Sequence, residues 1–353
     1  MKRAVFCALS SIAFLFLSCA PTLACSCGIS GKCDIPGADV IFLGRVASKQ
    51  VASGCTPDGI CSSAVSASVR FDVLENFRGA NAPQLEVETT EGCCACGITF
   101  SVGETYVVFA NRYQEQLQTN TCTATQPAAT ATALIRQLRA RAKGGPTATL
   151  FGLVALDTQP HYSWEPAPIQ PIRGVEVKAV GTQREFTVMT DGDGVYDFPF
   201  LPPDDYSIRA ALVPPLSSME LVQKNLRKIP VEPGSSCPYN IRAQWDGRIA
   251  GRVVDPYANP VPGFVSLDYE QPKTMGGGAK QAGVGGYTTG PDGRFEFTLL
   301  GPDEYRLRFF PGQGEKIDFT KRFTYPRMIS LDRGQQITDL VIQVPWPSSG
   351  PER

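Results

Sequence analysis

Residues able to do chemistry are supplied unevenly in this chain: 12 cysteines against a single histidine in 353 residues. His161 alone cannot build a zinc site with two or three histidine ligands. Its neighbours Gln159, Pro160, Tyr162, Ser163 and Trp164 read as a surface loop, with Tyr162 and Trp164 as the one pair there suited to sugar stacking. The cysteines crowd toward one end. Cys25, Cys27, Cys33, Cys55, Cys61, Cys93, Cys94, Cys96 and Cys122 lie early, and Cys237 stands apart. In an exported chain such density reads as disulfides. Zinc is the weaker reading, because Cys93-Cys94-Ala95-Cys96 has no second matching pair. The early cysteines are odd in number, so one of them is free or reaches Cys237.

Other constellations resolve to structure. Asp191-Gly192-Asp193-Gly194 lacks the third acid and closing Glu of a calcium loop, so it reads as a turn. The Gly-rich run from Met275 to Lys280 lacks the Gly-Lys-Ser/Thr ending of a phosphate loop. The acid pairs Asp204-Asp205 and Asp303-Glu304 flank turns and do not read as a glycosidase pair. The formal net charge of -1 argues against a nucleic-acid partner. No constellation supports an enzyme, and no cofactor is expected.

The first residues read as an address. Lys2 and Arg3 precede the apolar run Ala4 to Leu17, and Thr22-Leu23-Ala24 fits a leader cleavage pattern. Cleavage after Ala24 removes Cys7 and Cys19 and leaves Cys25 first. The expected location is secreted or periplasmic, with a lipoprotein as the competing outcome, because a cysteine at such a junction is a target for lipidation. Neither Cys19 nor Cys25 has the usual Leu three residues before it. No later apolar run reaches the length of a transmembrane helix.

The elements that must position these residues are mostly strands. Val40 to Val46 is β-branched and apolar. Val69, Phe71 and Val73 alternate with Arg70 and Asp72, Leu85 and Val87 alternate with Glu86 and Glu88, and Tyr106 to Ala110 reads as a buried strand. Strands in succession without interleaved helices predict a closed or nearly closed barrel. Between Ala128 and Lys143 the period changes: Ala131, Leu134, Ile135 and Leu138 share one helical face. Arg136, Arg139, Arg141 and Lys143 are expected on the solvated side.

Three strings carry a family resemblance: Cys25-Ser26-Cys27 after the leader, Ala38 to Val46, and Cys96-Gly97-Ile98-Thr99-Phe100 with Gly103 and Tyr106 to Ala110. Together they resemble the netrin-like, OB-fold domain of tissue inhibitors of metalloproteinases, over little more than a quarter of the chain. The resemblance implies bonds Cys25–Cys96 and Cys27–Cys122 that clamp the N-terminus to the barrel. It further implies that the free amine and carbonyl oxygen of Cys25 would chelate the catalytic zinc of a metallopeptidase, with Ser26 facing its specificity pocket. Cys55 to Cys61, a candidate disulfide loop, and the doublet Cys93-Cys94 depart from that pattern.

The rest of the chain repeats. Asp193 to Tyr206 lies over Asp292 to Tyr305 at an offset of 99 residues, and Arg209 over Arg308. Upstream, Gly174-Val175-Glu176-Val177 lies over Gly263-Phe264-Val265-Ser266. Each Asp-Gly reads as a hairpin turn. Trp245 and Trp346, just beyond the two copies, are expected in the sandwiches or their junctions. The repeat resembles the carboxypeptidase regulatory-like, transthyretin-like β-sandwich, classed with carbohydrate-binding-like modules. The expected organisation is a leader at 1–24, a netrin-like OB domain at 25–145, sandwiches at 148–244 and 246–345, and a tail at 346–353. The overall fold class is all-β. The leading functional expectation is a non-enzymatic metallopeptidase inhibitor acting through Cys25 and Ser26; the alternative is a module binding carbohydrate or cell-envelope material.

Overall fold

The computed structural model describes residues 33–52, 64–92, 96–157, 169–218, 228–274 and 280–346. The structure is almost all β. Its first unit holds β1 (Val40–Val51), β2 (Ala64–Arg78), β3 (Gln84–Gly92), β4 (Thr105–Tyr113), β5 (Gln116–Gln118) and β6 (Gln126–Pro127). Strand β1 pairs with both β2 and β4, so the order 1-2-3-5-4 closes on itself as a five-stranded OB-type barrel. Inside, Phe42, Phe71, Phe100 and Tyr106 form a chain of edge-on ring contacts at 5.6, 5.2 and 4.8 Å. Gly44 makes room for this chain, since a Cβ there would lie 2.6 Å from the Phe42 ring.

Strands β1 and β4 are apolar on both faces for a reason. Phe42, Val46, Tyr106 and Val108 fill the barrel, whereas Ile41, Val107 and Phe109 face outward onto a helix. That helix, α1 (Thr132–Ala142), follows a short 3-10 turn at Ala128–Ala131 and buries Leu134, Ile135 and Leu138. It stops where Gly144 takes a φ of 69° and the Gly145 N–H donates to the Ala140 carbonyl at 2.9 Å.

The first sandwich contains β7 (Leu150–Asp157), β8 (Ile169–Pro171), β9 (Glu176–Val180), β10 (Glu185–Met189), β11 (Val195–Phe198), β12 (Asp204–Ala210), β13 (Leu216–Ser218), β14 (Lys228–Val231), β15 (Cys237–Pro238) and β16 (Ile241–Trp245). The second contains β17 (Gly247–Val254), β18 (Gly263–Thr274), β19 (Lys280–Thr288), β20 (Arg294–Leu300), β21 (Asp303–Pro311), β22 (Phe323–Thr324), β23 (Ile329–Leu331) and β24 (Gln336–Gln343). One sheet runs β11-β7-β16 and its counterpart β20-β17-β24; the other runs β10-β9-β12-β14 and its counterpart β19-β18-β21, with β23 on β21.

Equivalence extends to detail. Gly152 and Gly251 let a parallel neighbour strand approach, because a Cβ would meet the Tyr239 or Leu340 carbonyl at 1.8 or 2.0 Å. Tyr206 and Tyr305, both buried, each donate a hydroxyl hydrogen bond to the carbonyl four residues earlier.

Two sequence expectations need correction. The Asp-Gly turns do not close hairpins: β10 and β11 lie in different sheets, as do β19 and β20. Each turn instead carries the chain across the sandwich edge, using Gly194 and Gly293 at φ of 71° and 68°. The upstream alignment is also displaced by one residue. Val175 and Gly263 are the true equivalents, for each N–H donates to the hydroxyl of Thr190 or Thr289, at 2.9 and 2.8 Å. Phe264 therefore matches Glu176, not Val175. A one-residue slip in a strand exchanges its faces.

Candidate functional site

The residues expected to inhibit, Cys25 and Ser26, lie outside the described residues, as do Cys27, Cys55, Cys61, Cys93, Cys94 and His161. Cys96 and Cys122 are described, and each is disulfide-bonded. The intervening geometry draws their two loops together: Thr121 donates from its N–H and hydroxyl to the Cys96 carbonyl, at 2.9 and 3.1 Å. Gly97 lies flat on β3, where a Cβ would meet the Thr90 carbonyl at 1.7 Å. The Ile98 N–H donates to the Thr89 hydroxyl at 2.9 Å. The Cys-Gly dipeptide is thus a tight lap of one segment over a strand edge.

Cys33 reaches Cys237, across 204 residues of sequence, with Cα atoms 5.1 Å apart. This bond ties the segment before the barrel to the first sandwich. Helix α1 makes the same connection by packing. Leu134, Ile135 and Leu138 share one core with Ile41 and Phe109 of the barrel and with Phe151, Leu153 and Val195 of the sandwich.

Polar contacts frame that core. Arg136 donates to Asp191 at 2.6 Å and to Asp193 at 3.3 Å. The expected turn at Asp191–Gly194 is present, and its carboxylates face a guanidinium. Burial pushes the Asp191 carboxyl up, but the Arg136 hydrogen bond and the N–H groups of Val195 and Asp193 outweigh it and hold it below the usual range. Burial raises the Asp197 carboxyl instead, although Arg136 and a 2.9 Å hydrogen bond from Gln137 pull it down. Arg139 forks onto Glu75 and Arg141 reaches Asp34, so these two helix cations are ion-paired on the barrel side and not merely solvated. The barrel, α1 and the first sandwich are one packed body.

The outer face of β20-β17-β24 in the second sandwich matches the face that α1 covers in the first. Phe151 and Leu153 are replaced there by Ala250 and Arg252, and Val195 by Arg294. No described element packs over this face. It forms an open groove of about 760 Å³ lined by Arg248, Arg252, Arg294, Glu296, Asp339 and Val341. Arg248 pairs with Glu296 at 2.9 Å. Trp245 sits at the junction of the two sandwiches, with the Arg333 guanidinium 5.0 Å over its ring. Trp346 packs on Phe323 within the second sandwich.

Sequence reasoning missed a surface feature of the second sandwich. Phe264, Phe310 and Phe319 form a cluster on the outer face of the β18–β21 sheet, with ring centroids 5.4–6.3 Å apart. Phe319 is 62% exposed. The signal was present as alternation in Phe264-Val265-Ser266-Leu267-Asp268, where Phe264 shares the outward parity of Ser266 and Asp268. The slipped repeat alignment hid it by pairing Phe264 with buried Val175.

Among the described residues, no group of three or more His, Cys, Asp or Glu side chains is placed to hold a metal ion. No described helix is long and apolar enough to cross a membrane.

No family model matches the chain, and no curated protein matches it. Among solved structures, a Bacillus anthracis TIE protein aligns over 88% of this chain and 52% of its own, at 11% identity and TM-score 0.23. The chain thus spans about half the length of that protein. GBS52, the minor pilin of Streptococcus agalactiae, aligns over 58% of this chain and 99% of its own, at 15% identity and TM-score 0.22. The RrgB pilus backbone of Streptococcus pneumoniae aligns over 88% and 90%, at 8% identity and TM-score 0.20.

Proposed function

We propose that the chain is an exported, non-enzymatic binding module for extracellular or cell-envelope material, with its second sandwich as the presenting unit. The proposal includes the division into a leader at 1–24, a barrel domain at 25–145, sandwiches at 148–244 and 246–345, and a tail at 346–353. One observation carries it. The two sandwiches are topological copies, yet the first is sealed onto the barrel through Phe151, Leu153 and Val195 while the matching face of the second, on β20-β17-β24, is an open groove. A copy freed from structural duty, with an exposed aromatic cluster where its twin carries charges, is a binding surface by composition. The test is co-sedimentation of the purified full chain with washed cell envelopes. Retention that excess unlabelled chain displaces is expected; a chain left wholly in the supernatant overturns the reading.

A second reading has its own observation. Cys96 and Cys122, the two cysteines that the netrin-like resemblance assigns to Cys25 and Cys27, are both disulfide-bonded. Under that pairing the Cys25 amine and carbonyl would stand ready for a metallopeptidase zinc, with Ser26 beside them. N-terminal sequencing and intact mass test whether Cys25 begins a free mature chain. An added Ala before Cys25 should abolish inhibition of a zinc endopeptidase. A lipidated Cys25 sinks this second reading.

A further inference from the structure

The second sandwich presents exposed rings among cations. On the outer side of β18 and β21, Phe264 pairs across the strands with Phe310. Phe319 packs against both, with ring centroids 6.0 and 5.4 Å away. It stands at the second position of a tight turn from Asp318 to Lys321, which the Lys321 N–H closes on the Asp318 carbonyl at 3.2 Å. The Asp318 N–H anchors that turn to the Pro311 carbonyl at 2.8 Å. The ring is thus held in place and still 62% exposed.

The charge around these rings is one-sided. The connection that carries Phe319 holds Lys316, Lys321, Arg322 and Arg327 against Glu315 and Asp318. All four cations are exposed. Among the described side chains only Lys321 has an ion-pair partner, Asp318 at 3.6 Å. Strand β22 pairs Thr324 with Arg308 and Phe323 with Phe309, and one further step in that register sets Arg322 opposite Phe310. The other charges of this face cancel: Asp268 takes Arg308 at 2.9 Å and Glu270 takes Arg306 at 2.6 Å. The first sandwich has no such patch. Glu176 and Ala211 stand at the positions of Phe264 and Phe310, and Glu176 joins Lys178 and Glu185 in an exposed charge network.

From this we infer that the Phe264–Phe310–Phe319 patch, with Lys316 and Arg322 beside it, docks on an anionic phospholipid surface. Rings at the tip of a turn suit the boundary between headgroups and acyl chains, where an aromatic side chain sheds water while its neighbours stay wet. Cations without partners of their own are free to meet lipid phosphates, and each adds to the attraction. Their excess over the local acids favours an anionic surface over a neutral ligand. A protruding turn fits a planar, deformable surface better than it fits a peptide, which is bound along a sheet edge or in a groove. The inference rests on the binding-module reading and narrows it to one surface and one ligand class.

The experiment is co-sedimentation of the full chain, purified after export, with lipid vesicles. One set is phosphatidylcholine alone and the other an equimolar mixture with phosphatidylglycerol. Saturable retention on the mixed vesicles is expected, falling as salt is raised. Retention on phosphatidylcholine alone should be about tenfold weaker or less. Phe319→Ala, at an exposed position that leaves the core intact, should weaken retention on the mixed vesicles about tenfold. Lys316→Gln with Arg322→Gln should weaken it about twenty-five-fold, about fivefold for each cation. Phe319→Trp should keep the binding and add an emission that shifts to the blue on the mixed vesicles. Unchanged thermal transitions in these variants show that folding is not the cause. No retention on the mixed vesicles overturns the inference, as does equal retention on both compositions or retention indifferent to Phe319→Ala. Binding of polyglutamate with no retention on vesicles overturns it in favour of an acidic polypeptide partner. Envelope retention without vesicle retention removes the lipid site but leaves the binding-module reading standing.

Discussion

Arg136 and Asp191 lie 2.6 Å apart across the junction between α1 and the first sandwich. The pair locks a helix that follows the barrel onto a turn of the next unit. Both side chains are about 40% exposed, so solvent screens much of their attraction. Arg136→Ala should therefore cost only about 0.5–1 kcal/mol. Urea denaturation is the check, and a loss of several kcal/mol would mean that Arg136 does more than pair with Asp191 and Asp193.

The apolar part of the junction should matter more. Leu138 is 3% exposed and packs in the core shared by barrel, helix and sandwich. Leu138→Ala should cost about 2–4 kcal/mol. It should also split one unfolding transition into two, since the barrel and the first sandwich then lose their common core. A single unaltered transition by calorimetry contradicts the one-body description.

Acid should weaken the junction in a specific way. Asp191 is held below the usual carboxylate value, so it stabilises the fold above the unfolded value and loses that contribution as pH falls through the folded one. Asp197 is raised, so its contribution has the opposite sign: it favours the fold at low pH and is lost as pH rises through the raised value. Asp191→Asn should flatten the acid limb of a stability–pH curve, and Asp197→Asn should steepen it. Urea midpoints measured across the acid range decide; identical limbs in all three proteins refute the assignment.

The tyrosine hydroxyls test the equivalence of the sandwiches. Tyr206 donates to the Pro202 carbonyl at 3.0 Å and Tyr305 to the Gly301 carbonyl at 2.8 Å. Tyr206→Phe and Tyr305→Phe should each cost about 1 kcal/mol. The double variant should be additive to within about 0.5 kcal/mol, because the two sites share no partner. Chemical denaturation of the four proteins gives the comparison.

The Cys33–Cys237 bond closes a loop spanning 204 residues. Loop-closure entropy bounds its stabilisation at about 5 kcal/mol. Replacing both cysteines by Ala should give less than that bound, because the α1 core also restricts the same loop. Equal stability with and without the bond, measured by denaturation, rules out a stabilising role.

Much of this architecture was legible in the residues. Alternation at Val69, Phe71 and Val73 marks a strand with one buried face, and the helical spacing of Leu134, Ile135 and Leu138 marks the packed face of α1. The 99-residue offset shows the duplication. These signals are local, because a strand repeats every two residues and a helix about every 3.6.

The aromatic cluster and the junction were not legible in the same way. Gly174 and Gly263 look equivalent, yet the N–H groups of Val175 and Gly263, which donate to the Thr190 and Thr289 hydroxyls, pair Val175 with Gly263 and turn Phe264 outward. Phe151 and Leu153 look like ordinary strand residues until α1 covers them. Arg136 looks like a solvated helix residue until Asp191 arrives from a distant turn. By itself the sequence determined which segments form strands and helix, and that two segments share one fold. Tertiary structure alone decided which copy was sealed and which left bare, because facing surfaces are chosen by contacts between residues far apart in the chain, which no local period encodes.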